Sequence, residues 1–177
     1  MAMYGGNDVT VHAVLVPFPA QGHVNSFIHL ADLLAARVFF ITFVNTKWTE
    51  KCMFRSTELK SEQQHSKPNF QFLSFPDGLP PDHGRTTHLG ELFTTLAKRG
   101  EALEALLRTD SGNGVPPITC VVADCCMSCT VSAAAKMRVP RVVFWPVCAA
   151  ISIASKYSHS LISQGHIPVK GILLLCF

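Results

Sequence analysis

Two residues of this chain have the types and positions to move a proton together. His23 lies in the segment Pro17-Phe18-Pro19-Ala20-Gln21-Gly22-His23-Val24-Asn25, after an apolar run at 11–16 and before an amphipathic stretch that starts near Val24. Asp124 closes the run Cys120-Val121-Val122-Ala123-Asp124. If both runs are strands of one parallel sheet, both residues leave it at the C-terminal edge, where open α/β sheets bind ligands. An aspartate bonded to one imidazole nitrogen fixes the tautomer and stabilises the imidazolium. The other nitrogen is then free to take a proton from a hydroxyl. Such a dyad, with no protein nucleophile, suits an enzyme that activates an acceptor alcohol and transfers a group to it in one displacement. On spacing alone two simpler readings stay open. His23 can be a solvated loop histidine. Asp124 can be the N-cap of the following helix, a role that does not exclude the dyad.

Other candidates carry less. Cys126-Met127-Ser128-Cys129 has C-x-x-C spacing, with Cys120 and Cys125 close by, but no second pair completes a tetrahedral metal set. Packed core thiols are expected there. His12 begins a strand and His29 sits on a helix, neither with an evident partner. His83 and His88 flank a loop beside a Pro-rich turn and could approach a ligand. Asn45-Thr46 follows the second strand at the same edge, where a helix N-cap is the simpler reading. No G-x-G-x-x-G follows a strand and no G-x-x-x-x-G-K-[ST] occurs, which argues against a dinucleotide oxidoreductase or a P-loop NTPase.

The elements that must position these residues are legible as apolar runs. Strands are expected at 11–17, 38–44, 70–75, 118–123 and 141–145. Most are continuous rather than alternating, as in strands buried on both faces. Helical periodicity lies between them. Phe27, Leu30, Ala31 and Leu34 share one face of a first helix. Leu89, Leu92, Phe93, Leu96, Leu103, Leu106 and Leu107 form a long stripe opposite Glu91, Lys98, Arg99, Glu101, Glu104 and Arg108. The stretches 125–137 and 147–163 also read as helices, the former ending before Val139-Pro140. Strands alternating with helices predict an α/β fold with a doubly wound, mostly parallel, Rossmann-like sheet. The loop at 56–69 is polar and expected to be mobile, that at 76–82 is rigid and turn-rich, and 111–117 is a linker.

Composition narrows the class. With 177 residues, 48% of them hydrophobic and 15% charged, the chain can bury a real core and is expected to be globular. A net charge of +3 spread along the sequence leaves no basic run for nucleic acid. No apolar run is long enough to span a bilayer. Met1 to Asp8 is polar and Gly-rich, so no signal peptide is expected. The seven cysteines then read as reduced thiols of a cytoplasmic protein.

In this order and spacing, the motifs resemble the plant family 1 UDP-glycosyltransferases, enzymes of two-domain GT-B architecture. The resemblance runs over roughly residues 10–168. It is carried by Pro17 to Asn25, Leu30-Ala31-Asp32-Leu33-Leu34, Phe40-Ile41-Thr42-Phe43-Val44-Asn45-Thr46 and Pro76-Asp77-Gly78-Leu79-Pro80-Pro81. Val121-Val122-Ala123-Asp124 with Met127-Ser128, then Val139-Pro140 and Phe144-Trp145, complete it. The resemblance implies that His23 deprotonates an acceptor hydroxyl while Asp124 holds it and balances its charge. The acceptor oxygen attacks the anomeric carbon of a UDP-sugar, glucose being the expected sugar; UDP leaves and the configuration inverts. It implies no metal and no cofactor beyond the co-substrate. It implies acceptor contacts at Phe18, Gln21, Gly22, His83 and Trp145, and proximity to the donor sugar at Gly22 and Pro146. Acceptors of such enzymes are small lipophilic alcohols, phenols or acids.

Departures from the family pattern qualify these expectations. The C-terminal UDP-sugar-binding domain, with its W-x-P-Q and H-C-G-W-N-S signature, is expected to be absent. Residues 1–10 are expected to be a disordered N-terminus, 11–168 a partial acceptor-binding domain, and 169–177 a divergent apolar tail. The chain alone is therefore expected to be inactive. A non-catalytic fragment that binds small molecules or pairs with a full-length relative is the alternative, and a non-functional truncated product is a third reading. Ser26 stands where the family has Pro, and Val38 where it has Gly after Arg37. Pro146 and Cys148 replace hydroxyl residues, which removes an expected contact to the sugar.

Overall fold

The computed structural model describes residues 11–37, 39–56, 68–110 and 114–167. The readings for 1–10 and 169–177, most of that for 56–69 and the part of the 111–117 linker at 111–113 lie outside these residues. Two compact units divide the chain, Met1–Trp145 and Pro146–Phe177.

The first unit holds β1 (His12–Val16), α1 (Gln21–Ala35), β2 (Phe40–Thr46), α2 (Lys47–Ser56) and β3 (Phe70–Phe75). It continues with α3 (Leu89–Ala97), α4 (Gly100–Asp110), β4 (Cys120–Asp124), α5 (Cys129–Met137) and β5 (Arg141–Phe144). All five strands pair in parallel, in the order β3-β2-β1-β4-β5. The winding direction reverses between β1 and β4. That reversal is the topological switch point, beyond whose strand ends ligand crevices form in such sheets.

Continuous apolar runs are explained by burial on both faces. Successive side chains of a strand alternate sides. Val14 and Val16 of β1 pack with Leu92, Leu96, Leu103, Leu107 and Ala133 from α3, α4 and α5. Ala13 and Leu15 pack on the other face with Phe27 and Ala31 of α1 and with Ile41 and Phe43 of β2. Each fully buried Val, Leu, Ile or Phe among these contributes about 1.5–3 kcal/mol. The exception is β5. Its Val142 and Val143 remain half exposed.

Several boundaries differ from expectation for local reasons. The leucine stripe is two helices, interrupted at Lys98-Arg99, where Arg99 donates from Nε to the carbonyl of Asp77 (3.2 Å). Gly100 opens α4 where a Cβ would press on Ser132 Oγ and on the Cys129 carbonyl, so the absence of a side chain lets α4 approach α5. The helix expected from 125 begins at Cys129, since residues 124–127 form a tight turn closed by Met127 N–H to Asp124 O (3.0 Å). In the second unit the stretch 147–163 is split at Tyr157 (φ −101°, ψ 13°) into α6 (Ala149–Lys156) and α7 (Ser158–Ser163).

His12 does have partners. Its Nδ1 lies 2.7 Å from the Pro116 carbonyl, which only accepts, so Nδ1 carries the proton. Nε2 then accepts from Thr42 Oγ1 (2.7 Å), which in turn accepts from Gln71 Nε2 (2.7 Å). One buried relay thus stitches β1, β2 and β3 to the segment entering β4.

Candidate active site

The site is assembled at the ends of β1 and β4. The register pairs Val16 with Ala123, so the residue after each faces the same edge. After β1 the chain turns through Pro17 to Ala20, and α1 starts at Gln21, three residues earlier than the apolar periodicity indicates. His23 is therefore in the first helical turn and not in a loop. Helical side chains tilt toward the N-terminus, which aims this ring back at the sheet edge. Its Nδ1 lies 2.7 Å from Asp124 Oδ2.

Asp124 is fully buried, and the His23 side chain is 25% exposed. The other carboxylate oxygen, Oδ1, accepts the Cys126 N–H (2.9 Å) and faces the Cys125 thiol (3.5 Å). Asp124 thus closes its own turn and does not cap α5. A carboxylate that accepts on both oxygens fixes the proton on His23 Nδ1. Nε2 then presents a lone pair, with no hydrogen-bond partner among the described residues. Beside the imidazole, Phe18 meets its edge at 5.5 Å and stacks on Phe93 at 4.6 Å. Phe18 is buried while Phe93 of α3 is partly exposed, so the dyad opens next to an aromatic wall.

The remaining sequence candidates are distributed as follows. Gln21 and Gly22 are exposed at the start of α1, and a Cβ on Gly22 would meet nothing within 4 Å. His83 is nine-tenths buried; its Nε2 meets Glu91 (2.9 Å), its ring tilts against His88 at 5.6 Å, and Nδ1 is buried without a partner among the described residues. No hydrogen bond or ring contact among the described residues joins His83 to the dyad. Trp145 ends the first unit, 43% exposed, and Pro146 begins the second. Thr46, not Asn45, caps α2, accepting the Thr49 N–H at 3.2 Å.

The C-x-x-C pair does not act together. Cys129 is buried in the core and its thiol is pushed up to about 11 by burial. Cys126 instead neighbours Cys125, with sulfurs 3.6 Å apart. Burial, then the neighbouring Cys125 and Asp124, push the Cys126 thiol up to about 12. Neither is a thiolate nucleophile at neutral pH.

Two features escaped the sequence reading. Phe93 was hidden in the leucine stripe. Arg85, buried, locks the loop that leads to α3. It makes a bidentate pair with Asp77 (Nε–Oδ2 2.7 Å, Nη2–Oδ1 3.1 Å) and donates to the carbonyls of Leu79, Pro80 and His83. It also lies 5.2 Å over the Trp48 ring. Burial raises the Asp77 pKa, but the hydrogen bonds from Arg85 and Leu79 N–H and the charges of Arg85 and Arg99 outweigh it. The carboxyl is held below its ordinary 3.8.

Comparison with known proteins adds to this geometry. Residues 8–167 match the family described as glycosyltransferase, N-terminal domain. UDP-glycosyltransferase 85A1 of Arabidopsis thaliana is 38% identical over 167 residues, covering 93% of this chain and 34% of the relative. The (R)-mandelonitrile beta-glucosyltransferase of Prunus dulcis is 41% identical over 165 residues, covering 90% of this chain and 33% of the relative. The 7-deoxyloganetin glucosyltransferase of Catharanthus roseus is 40% identical, with the same coverage, 90% and 33%. The chain thus spans about a third of the length of these relatives. Among solved structures, Medicago truncatula UGT71G1 complexed with UDP-glucose superposes with a TM-score of 0.61 at 17% identity, covering 93% of this chain and 34% of that one. LpCGTa in complex with UDP superposes with a TM-score of 0.65 at 21% identity, covering 92% and 36%. The parallel sheet is that of the N-terminal part of the GT-B fold, as the motifs led one to expect.

Proposed function

The chain belongs to the plant UDP-glycosyltransferase family, and from that premise we propose that it is the acceptor-activating part of an inverting, UDP-sugar-dependent transferase. The observation that carries this reading is the 2.7 Å contact between His23 Nδ1 and Asp124 Oδ2, with Nε2 unpartnered beside Phe18 and Phe93. Nε2 takes the proton of the acceptor hydroxyl as its oxygen bonds to the anomeric carbon. The bond from that carbon to the UDP oxygen breaks, UDP leaves with the electron pair, and Asp124 stabilises the imidazolium. The transfer step uses no metal and no redox cofactor.

The relatives favour a small-molecule hydroxyl as acceptor and glucose as the sugar, since their names specify glucosyl transfer to 7-deoxyloganetin and to (R)-mandelonitrile. The beta-glucoside named for the latter favours inversion, because the sugar of UDP-glucose is α-linked. Phe18, Gln21, Gly22, His83 and Trp145 are the proposed acceptor contacts, with Gly22 and Pro146 toward the sugar. The open space over Gly22 and the unpartnered Nδ1 of buried His83 favour their assignments. The protein works in the cytoplasm. No helix among the described residues is long and apolar enough to cross a membrane. The chain by itself transfers no sugar at a useful rate.

One observation favours a second reading, a binding fragment that pairs with a full-length relative: the half-exposed Val142 and Val143 of outer strand β5. The test joins residues 11–167 of this chain to the remainder of the Arabidopsis relative. Glucoside formation from UDP-glucose and a small lipophilic alcohol, lost in His23→Ala, is expected of the chimera. Turnover that survives His23→Ala refutes the assignment. Acceptor binding without turnover moves the balance to the second reading.

A further inference from the structure

We propose that Cys125, Cys126 and Asp124 form a site for one thiol-seeking divalent cation of the zinc class, and that its occupancy weakens the His23 base. The first half stands on the geometry alone; the second rests on the proposed function.

The three ligand atoms lie within 4.8 Å of one another. Two thiolates on a tetrahedral zinc, with bonds of about 2.3 Å, stand about 3.8 Å apart; a thiolate and a carboxylate oxygen bonded at about 2.0 Å stand about 3.5 Å apart. The observed separations are 3.6 Å for Cys125 Sγ to Cys126 Sγ and 3.5 Å for Cys125 Sγ to Asp124 Oδ1. Consecutive side chains of a strand would point apart. Here the tight turn after β4, closed by Met127 N–H to Asp124 O and by Cys126 N–H to Asp124 Oδ1, brings both thiols to one side. Both cysteines are partly exposed, so an ion can reach them and a water can take its fourth position.

The balance is simple. A hydrated M²⁺ and two thiols give a dithiolate complex and two protons, the Asp124 carboxylate keeping its charge as third ligand. Because two protons leave for each ion bound, affinity rises with pH. Once bound, the ion draws electron density from Asp124. Its Oδ2 becomes a poorer acceptor for His23 Nδ1–H, and the imidazolium formed during transfer loses support.

The test titrates the full 177-residue chain, reduced and metal-free, with Co²⁺. One equivalent should give a thiolate charge-transfer band and tetrahedral visible bands, and Zn²⁺ should displace it. The bands should be lost in Cys125→Ser and in Cys126→Ser, circular dichroism showing each folded, and kept in Cys52→Ser and Cys148→Ser. Binding that survives both of the first two variants, or no thiolate band in the parent, overturns the site. In the chimera, zinc should inhibit transfer about tenfold or more, and within about twofold when both cysteines are Ser. A one-equivalent site without inhibition overturns the switch. A chimera that never transfers sugar condemns the proposed function and leaves the cobalt result standing.

Discussion

Severing the Asp77–Arg85 pair should cost a large share of the stability of this fold. Both side chains are about 95% buried, at 6% and 5% exposure. Removing one partner of a buried pair strands the other's charge and costs about 3–5 kcal/mol. Asp77→Asn leaves the guanidinium uncompensated. Arg85→Met leaves the carboxylate with only the Leu79 N–H as donor, and takes the Arg85 donor from the three carbonyls of Leu79, Pro80 and His83. With Asn at 77 as well as Met at 85 neither charge of the pair remains, and the loss of the three bonds to the carbonyls is one that Arg85→Met suffers already. The double variant should therefore be no worse than Arg85→Met. Urea unfolding followed by tryptophan fluorescence reads this directly, since Trp48 packs on Arg85. With a slope near 2 kcal/mol/M, each single variant should lower the midpoint by about 1.5–2.5 M. The acid limb gives a second check. The folded Asp77 pKa is depressed, so its contribution is complete above the unfolded value of 3.8 and vanishes as pH falls through the lower folded value. The gap between the parent and Asp77→Asn should be constant above about pH 5 and shrink below pH 4. Additive losses in the double variant, or single losses under about 1 kcal/mol, would refute the reasoning.

Three further outcomes follow from particular contacts. Gly78→Ala should lower stability by at least about 1–2 kcal/mol in a thermal melt, because φ is +88° and its Cβ would run into the Arg99 guanidinium. Thr42→Val keeps the shape but removes the hydroxyl that bonds both buried His12 and half-buried Gln71; a loss of about 1–3 kcal/mol is expected in urea. Phe93→Ala should weaken acceptor binding about 2- to 13-fold, the worth of an aromatic pair, while the melting temperature moves little. Unchanged acceptor affinity in a calorimetric titration removes Phe93 from the acceptor wall.

What was legible in the sequence followed from burial. A parallel strand covered on both faces must be apolar at consecutive positions, so β1, β2 and β4 announced themselves, and with them the edge that carries His23 and Asp124. Features set by contacts distant in sequence were not legible. The leucine stripe keeps its phase across Lys98-Arg99, and only the approach of α5 to Gly100 and the reach of Arg99 to Asp77 reveal two helices. Arg85 looked like one more scattered charge, because its partners are mostly carbonyls of a loop. His12 appeared partnerless because Pro116 and Thr42 reach it only once β1 lies between β2 and β4. The half-exposed β5 shows the converse: its Val-Val-Phe run reads as buried, yet Val142 and Val143 stand half exposed.

The two oxygens of Asp124 divide their work, and that division separates two variants which a merely structural carboxylate would not. Oδ1 closes the turn through Cys126 N–H, and Oδ2 orients His23. Asparagine can keep the turn only by giving its single oxygen to Cys126 N–H. Its amide NH₂ then faces His23 Nδ1 and must donate to it, so the ring proton moves to Nε2 and the lone pair that would take the acceptor proton is gone. Asp124→Asn should thus fold nearly as well as the parent, while the chimera loses about 10²–10⁴ in transfer rate. Asp124→Ala loses the base and also orphans a buried N–H, adding about 1–3 kcal/mol of instability. Imidazole nitrogen shifts of His23 by NMR report the tautomer without any turnover. They should show Nδ1–H in the parent and Nε2–H in Asp124→Asn. An Nδ1–H ring in the asparagine variant, or a chimera as fast as its parent, would mean that Asp124 holds the turn and nothing more.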